Sequence, residues 1–191
     1  MSTLISSAPG GSTGEPSKAS RDPRPSSSLR SAGVLVVFLA ISFGVAALGA
    51  ISTIDNVNGW YADASKAFWT PPNAVFGPVW TVLYTLMSVS AWLVWRERHR
   101  TEVRPALTVY VVQLALNAVW TPLFFGLYPA IGASALWVAL VVILALDVMV
   151  LVTMINFWPK RRLAAVLLIA YWAWVLYATT LNVAIAVMNT R

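Results

Sequence analysis

The sequence predicts an all-α integral membrane protein, a bundle of five transmembrane helices with a disordered N-terminal tail. The first observation is composition: 59% of the 191 residues are hydrophobic and 10% are charged, against about a quarter charged in soluble domains. The second is a series of long uncharged runs, because a helix needs roughly 20 apolar residues to cross a hydrocarbon core of about 30 Å. These runs lack the polar–apolar alternation of membrane-barrel strands.

The first two helices come from the first two uncharged runs. One run covers residues 31–54 and predicts a helix over 33–54. The next covers residues 67–95. Its proline pair, Pro71-Pro72, restricts the backbone just before a helix begins, so the second helix is predicted over 74–95.

The other three helices follow from one very long run and a last one. No residue is charged from 105 to 146, which is too long for a single span. Prolines and glycines cluster at 121–132 and divide it, because proline lacks a backbone donor and glycine favours turns. The helices are predicted over residues 105–125, 133–156 and 163–188.

Two domains are predicted, a tail over residues 1–30 and a membrane domain over residues 31–191. The tail is basic and rich in Ser, Pro and Gly, with almost no large apolar side chains. Such a segment cannot bury enough surface to offset its ordering entropy, so it is expected to be disordered. A secretory signal is the rival interpretation, but the apolar run exceeds the usual signal core of about 7–15 residues.

Loop charge predicts the orientation. The first and third loops contain one Lys and no Arg, whereas the tail and the other two loops are basic. By the positive-inside rule, the N-terminus is expected in the cytoplasm and the C-terminus on the opposite side of a membrane whose identity stays open. The net charge of +6 then reflects orientation, so no nucleic-acid partner is expected. The basic residues are Lys18, Arg21, Arg24, Arg30, Arg96, Arg98, Arg100, Arg104, Lys160, Arg161 and Arg162.

Ordinary catalytic chemistry has little support. The lone histidine, His99, stands among arginines, the chain has no cysteine, and no nucleophile–base pair or metal-ligand spacing occurs. No catalytic residue and no metal site are therefore predicted. Asp147 interrupts the fourth span, where a carboxylate costs about 2.5–3.5 kcal/mol to insert. It is interpreted either as a proton or cation site or, preferably, as a hydrogen-bonding group that contacts a neighbouring helix or a partner subunit.

Ten tryptophans are the strongest functional signal. Those near the basic span ends, Trp92, Trp95 and Trp158, fit an interfacial belt. Others share helical faces with polar or small residues, and such faces either hold helices together or line an apolar pocket with a few hydrogen-bonding groups. The faces comprise Trp80, Tyr84, Met87 and Ala91 in the second helix, Gln113, Asn117 and Trp120 in the third, and Tyr171, Trp174, Ala178, Leu181 and Asn182 in the fifth.

The first loop is unusually aromatic for a connection between spans. Its stretch "NGWYADASKAFWTPPNAVFGPVW" contains three tryptophans and three prolines. We expect Trp60, Tyr61, Phe68 and Trp69 to fold over the mouth of the pocket as a lid. The alternative is that the loop rests in the lipid headgroups.

Three segments of this chain resemble motifs of the TspO/MBR family, the tryptophan-rich sensory and translocator proteins. They are "WYADASKAFWTPP", "QLALNAVWTPLFFG" and "YWAWVLYATTLN", and the resemblance extends from about residue 33 to residue 190. It implies five transmembrane helices, commonly in a homodimer, around a pocket for porphyrins such as protoporphyrin IX and haem. The implied ligand-binding residues, with those from the faces above, are Trp60, Tyr61, Trp69, Trp80, Tyr84, Gln113, Asn117, Trp120, Trp174, Ala178 and Leu181.

The expected function is therefore that of a membrane receptor for porphyrins and other flat apolar ligands, with a regulatory or transport output. Its partners would be a porphyrin-type ligand, membrane lipids and a second copy of the chain, with no required cofactor. The resemblance leaves two alternatives open, an oxidative or light-dependent porphyrin-degrading enzyme and a small tetrapyrrole transporter. A sterol role lacks support because the C-terminal "LNVAIAVMNTR" contains no tyrosine.

Overall fold

A computed structural model describes residues 25–190, which are helical with short connections and contain no strand. The tail predicted to be disordered lies mostly outside the described residues, over residues 1–24. Five helices are long and apolar enough to span a membrane, as the sequence predicts. The helices are α1 (Pro25–Val57), α2 (Trp60–Asp63), α3 (Asn73–Arg96), α4 (Arg104–Thr121), α5 (Tyr128–Ile131), α6 (Ala133–Phe157) and α7 (Arg162–Met188).

The bounds predicted for the later spans agree closely with α3, α6 and α7, and the third span continues from α4 through a π-helical turn at Pro122–Gly126. The first span differs, since α1 begins at Pro25 rather than at residue 33 and continues to Val57. A helix satisfies its own backbone hydrogen bonds, so it can extend past the apolar run into polar sequence. The apolar run therefore marks the hydrocarbon core better than it marks the helix ends.

The five long helices form a closed ring in the order α1, α3, α7, α6 and α4. Each neighbouring pair in this order packs together, and α4 packs back against α1. Consecutive spans are neighbours in the ring except α3 and α4, which lie on either side of α1. Helices α2 and α5 and the π-helical turn lie at one end of the ring.

The two ends of the bundle differ in character. At the basic end, Arg161 pairs with Glu97 at 3.7 Å and Lys160 Nζ donates to Thr101 Oγ1 at 2.9 Å, joining the α3–α4 and α6–α7 connections. At the aromatic end, the segment that contains α2 covers the bundle. The sequence predicts that the basic end faces the cytoplasm.

Small hydroxyl side chains let helices approach closely near the basic end. Ser88 Oγ of α3 lies 2.9 Å from Ser42 Oγ and 3.2 Å from the Phe38 carbonyl of α1. Ser90 Oγ donates to the Ala164 carbonyl of α7 at 2.6 Å. Hydrogen bonds of this kind stabilise helix contacts in membranes by about 0.6 kcal/mol each.

Asp147 makes a hydrogen bond to a neighbouring helix, in agreement with the preferred interpretation of its position in the sequence. Its Oδ2 accepts from Thr179 Oγ1 of α7 at 2.8 Å, and its carbonyl accepts from Trp172 Nε1 at 3.1 Å. The residue is 8% exposed, so the carboxyl faces the α6–α7 contact rather than lipid.

A candidate ligand-binding cavity

A cavity of about 710 Å³ lies between α1, α3, α4 and α7 at the aromatic end of the bundle. This volume falls within the range of roughly 300–1,000 Å³ that is usual for small-molecule sites. The residues around it are Phe43, Ala46, Ala47, Gly49, Ala50, Thr53, Ile54, Val57, Asn58, Tyr61, Asn73, Phe76, Gly77, Trp80, Thr81, Tyr84, Trp120, Thr121, Phe125, Trp174 and Ala178.

Rings on α3 and α7 form one wall of this cavity. The Trp80 ring lies 5.3 Å from the Tyr84 ring and 6.4 Å from that of Tyr171, and Phe76 packs edge-to-face on Trp174 at 5.9 Å. Pairs in these arrangements contribute about 0.5–1.5 kcal/mol beyond burial of their area. The wall is therefore rigid as well as apolar, which suits a flat ligand.

A buried hydrogen-bond network fixes the inner end of the cavity. The Tyr84 hydroxyl donates to Asn117 Oδ1 at 2.6 Å, and Asn117 Nδ2 donates to the Tyr171 hydroxyl at 3.1 Å. Asn117 is 1% exposed. One amide thus joins α3, α4 and α7 directly behind the ring of Tyr84, and the network sets the position of that ring.

A second network orients the tryptophan that α4 contributes. Trp120 Nε1 donates to Asn182 Oδ1 at 3.1 Å, and Asn182 Nδ2 donates to the Leu136 carbonyl of α6 at 3.0 Å. Phe124, in the π-helical turn, stacks on the Trp120 ring at 5.3 Å. The Trp120 ring is therefore held at the cavity wall by contacts with α6 and α7.

Tyr61 of α2 closes the cavity at the aromatic end. It is 4% exposed and packs on Phe125 at 5.2 Å. Burial raises the pKa of the Tyr61 hydroxyl above its usual value, and the neighbouring Tyr177 adds to the rise. The hydroxyl therefore stays neutral at physiological pH and can both donate and accept a hydrogen bond.

The other rings of the covering segment lie away from the cavity. Trp60 stacks on Tyr128 at 3.9 Å and donates its Nε1 hydrogen to the Phe125 carbonyl at 2.9 Å, which anchors α2 to the α4–α6 connection. Phe68 is 95% exposed, and Trp69 is half-exposed and packs edge-to-face on Phe68. Only Tyr61 of the four proposed lid residues reaches the cavity.

Helix α7 holds the covering segment at two points. Asn189, just beyond α7, accepts from the Ser65 backbone N–H at 3.0 Å through Oδ1 and donates to the Ser65 carbonyl at 2.9 Å through Nδ2. The Tyr177 hydroxyl donates to the Trp69 carbonyl at 2.7 Å. These contacts with α7 and with Asn189 are made by the backbone of the segment, and they add to the side-chain contacts of Trp60.

The structure brings six of the eleven predicted site residues to the cavity wall. Of the other five, Trp60 and Trp69 lie on its cover, and Asn117 supports Tyr84 from behind. Gln113 and Leu181 are buried in the core, where Gln113 Nε2 lies 4.0 Å from Met87 Sδ. The six that line the cavity are Tyr61, Trp80, Tyr84, Trp120, Trp174 and Ala178.

Sequence reasoning missed the contribution of α1, which supplies more of the lining than the other helices. Its residues there are mostly small, and Gly49 allows close approach: a Cβ at this position would lie 3.4 Å from Thr121 Cγ2. The available signal was the run "AALGA" at residues 46–50, where side-chain volume is low on one part of a long apolar helix.

Comparison with known proteins agrees with this architecture. The profile of the TspO/MBR family matches residues 36–188. A tryptophan-rich protein TspO of Archaeoglobus fulgidus is 38% identical over 158 residues, covering 83% of this chain and 95% of the relative.

Two other relatives have names that refer to sensing and translocation. A tryptophan-rich sensory protein of Cereibacter sphaeroides is 36% identical over 149 residues, covering 78% of this chain and 87% of the relative. The human translocator protein is 39% identical over 125 residues, covering 64% of this chain and 70% of the relative. With the five-helix ring and its matching profile, these similarities show that the chain belongs to the TspO/MBR family.

Proposed function

We propose that the chain is a membrane receptor that binds porphyrins, such as protoporphyrin IX and haem, and other flat apolar ligands. The observation that carries this proposal is the cavity of about 710 Å³, lined by rings and covered by Tyr61. Apolar burial and ring stacking would supply most of the affinity, since a large aromatic surface leaves water for a preformed apolar wall.

The output of binding is proposed to be sensory or a form of transport. The relatives whose names mention a sensory protein and a translocator protein support this range of outputs. The covering segment, residues 58–72, could transmit ligand binding to the surface of the protein. It contains Tyr61, which lines the cavity, and it also contacts α7 and Asn189 outside the cavity. A ligand that displaces Tyr61 would alter these contacts.

Titration of the purified protein in nanodiscs with protoporphyrin IX, followed by tryptophan fluorescence, tests for the site. Ala178 lines the cavity and is 7% exposed, so Ala178→Phe should fill part of it and reduce affinity by at least about tenfold. Ala173→Phe is the matched control, because it adds the same ring on an exposed position of the same helix. Equal quenching in all three proteins would show that porphyrin binds elsewhere or only partitions into lipid.

A further inference from the structure

Ionisable side chains are absent from the wall of the cavity. Among residues 25–190, no Asp, Glu, Lys, Arg or His lines it. A carboxylate placed deep in such a wall would lose its hydration without gaining a cation, which is a large penalty in an apolar environment. Any ionised group on a bound ligand therefore has to be placed by hydrogen-bond donors or left near water.

Three of the hydroxyl groups along the wall, those of Thr53, Thr81 and Tyr84, have already donated their hydrogens within the protein. Thr53 donates to the Gly49 carbonyl at 2.7 Å, and Thr81 donates to the Gly77 carbonyl at 2.9 Å. The Tyr84 hydroxyl donates to Asn117 Oδ1, and Asn117 Nδ2 in turn donates to the Tyr171 hydroxyl. These groups present only oxygen lone pairs to a ligand, so they do not favour a carboxylate or a carbonyl.

Two side-chain amides at the mouth are different. Asn58 follows the last residue of α1, and Asn73 is the first residue of α3, so both lie at the aromatic end of the cavity that they line. Both are exposed, and neither side chain makes a hydrogen bond to any residue between 25 and 190. Each amide offers two N–H donors.

The side chain of Lys66 places a cation close to Tyr61, at the aromatic end of the cavity. Lys66 Nζ lies 4.9 Å from the centroid of the Tyr61 ring, on a residue that lines the cavity, and donates to the Ala62 carbonyl at 2.9 Å. An ammonium group has three hydrogens, so two remain available. Two donors of a cationic group therefore lie beside the Tyr61 ring at the covered end of the cavity.

Building on the proposed function, we infer that Asn58 and Asn73 form a polar subsite at the mouth. This subsite hydrogen-bonds the acceptor-bearing edge of a planar ligand, such as the carboxylate edge of a porphyrin, while the apolar edge lies inward against Tyr84 and Trp120. The chemical class selected is a flat amphipathic ring system whose carboxylates or carbonyls share one edge. Inverted binding would place these acceptors at the inner end of the cavity, where Tyr84 Oη and Trp120 Nε1 have already donated their hydrogens to other residues.

Protoporphyrin IX and its dimethyl ester distinguish this subsite from general apolar binding. Asn73→Asp has nearly the same size and places an acidic residue at a helix N-terminus, where it is favourable for stability. It should reduce the affinity for protoporphyrin IX by at least about tenfold, because it replaces hydrogen-bond donors by a repelling charge. It should reduce the affinity for the dimethyl ester by less than about threefold. Asn58→Leu removes the other amide and should also reduce affinity for the diacid more than for the diester.

Each ligand is compared between parent and variant in the same nanodiscs, so differences in lipid partitioning cancel. Thr85→Val is the matched control, since it alters a hydroxyl of the same helix that lies outside the cavity lining and donates to the Thr81 carbonyl at 2.8 Å, and it should leave both affinities unchanged. Equal effects of Asn73→Asp on both ligands, or none on either, would overturn the mouth subsite while leaving porphyrin binding intact. Equal affinities for protoporphyrin IX in the parent and in Ala178→Phe would overturn the proposed function and the subsite together.

Discussion

Removal of the Asn189 side chain should release the covering segment without altering the cavity wall. Asn189→Ala eliminates the two hydrogen bonds to the Ser65 backbone, at 3.0 and 2.9 Å. A neutral hydrogen bond contributes about 0.5–1.5 kcal/mol net, so the pair contributes about 1–3 kcal/mol. Both groups are exposed and water can replace part of the loss, so the lower half of this range applies.

Local opening of the segment should therefore increase about fivefold to twenty-sevenfold, since 1.4 kcal/mol corresponds to a factor of ten. Hydrogen–deuterium exchange reports this directly at the Ser65 amide, which donates one of the two bonds. Porphyrin dissociation, measured by stopped flow, should accelerate in the same protein because the cover opens more often.

Asn156→Ala provides the control for this prediction. Asn156 makes a comparable side-chain hydrogen bond to a carbonyl one turn earlier, but at the basic end of α6. It should leave Ser65 exchange unchanged. If Asn189→Ala also leaves the exchange of Ser65 unchanged, the contact does not hold the segment and the attachment assigned to α7 is wrong.

Three further predictions concern topology and packing. In this cysteine-free chain, Ser65→Cys should react with an impermeant reagent from the non-cytoplasmic side and Thr101→Cys should not; labelling of both from one side would contradict the proposed orientation. Asp147→Asn should preserve thermal stability within about 1 kcal/mol, because an amide oxygen can still accept from the α7 threonine, and a larger loss would indicate a role for the charge. Ser90→Ala should destabilise the protein by about 0.6 kcal/mol in a denaturation assay, because the bond to the Ala164 carbonyl is lost, and no change would show that the bond is replaceable.

The spans and the inward faces could be predicted from the sequence because both depend on local patterns. Charge runs and proline–glycine clusters bound each apolar run, and the ring–amide faces repeat with helical spacing. Met87, Asn117 and Tyr171 are almost completely buried, as their positions on these faces predict. Periodicity identifies which side of a helix faces the bundle, and here it identified the correct side.

Periodicity does not show how deep along the bundle a residue lies or what its polar atoms contact. Gln113 and Asn117 share a face with Trp120, but only Trp120 reaches the cavity. Asn117 is instead saturated by two tyrosine hydroxyls that come from other helices. The tertiary partners of an amide decide whether it binds a ligand or supports the wall, and a single sequence does not contain that information.

The covering segment shows the same limit for aromatic residues. Its composition predicts a lid, yet the rings divide between the cavity, the α4–α6 connection and the surface. Tyr61 reaches the cavity, Trp60 stacks on Tyr128, and Phe68 is almost fully exposed. The backbone bonds to Asn189 and Tyr177 and the side-chain bond of Trp60 to the Phe125 carbonyl hold the segment in this arrangement, and none of these partners can be read from the segment's own sequence.

The position of the cavity follows from side-chain size along the α1–α3 contact. Near the basic end, Ser42 and Ser88 face each other and the two helices touch through hydroxyl groups. Toward the aromatic end, α3 presents the large rings of Trp80 and Tyr84, whereas half of the residues that α1 contributes to the lining are alanine or glycine. Large rings hold helices apart, and small residues opposite them leave the resulting space unfilled. The volume available to a ligand is therefore determined by α1 as well as by the tryptophans, and larger side chains at Ala46, Ala47, Gly49 or Ala50 should reduce it even with every ring retained.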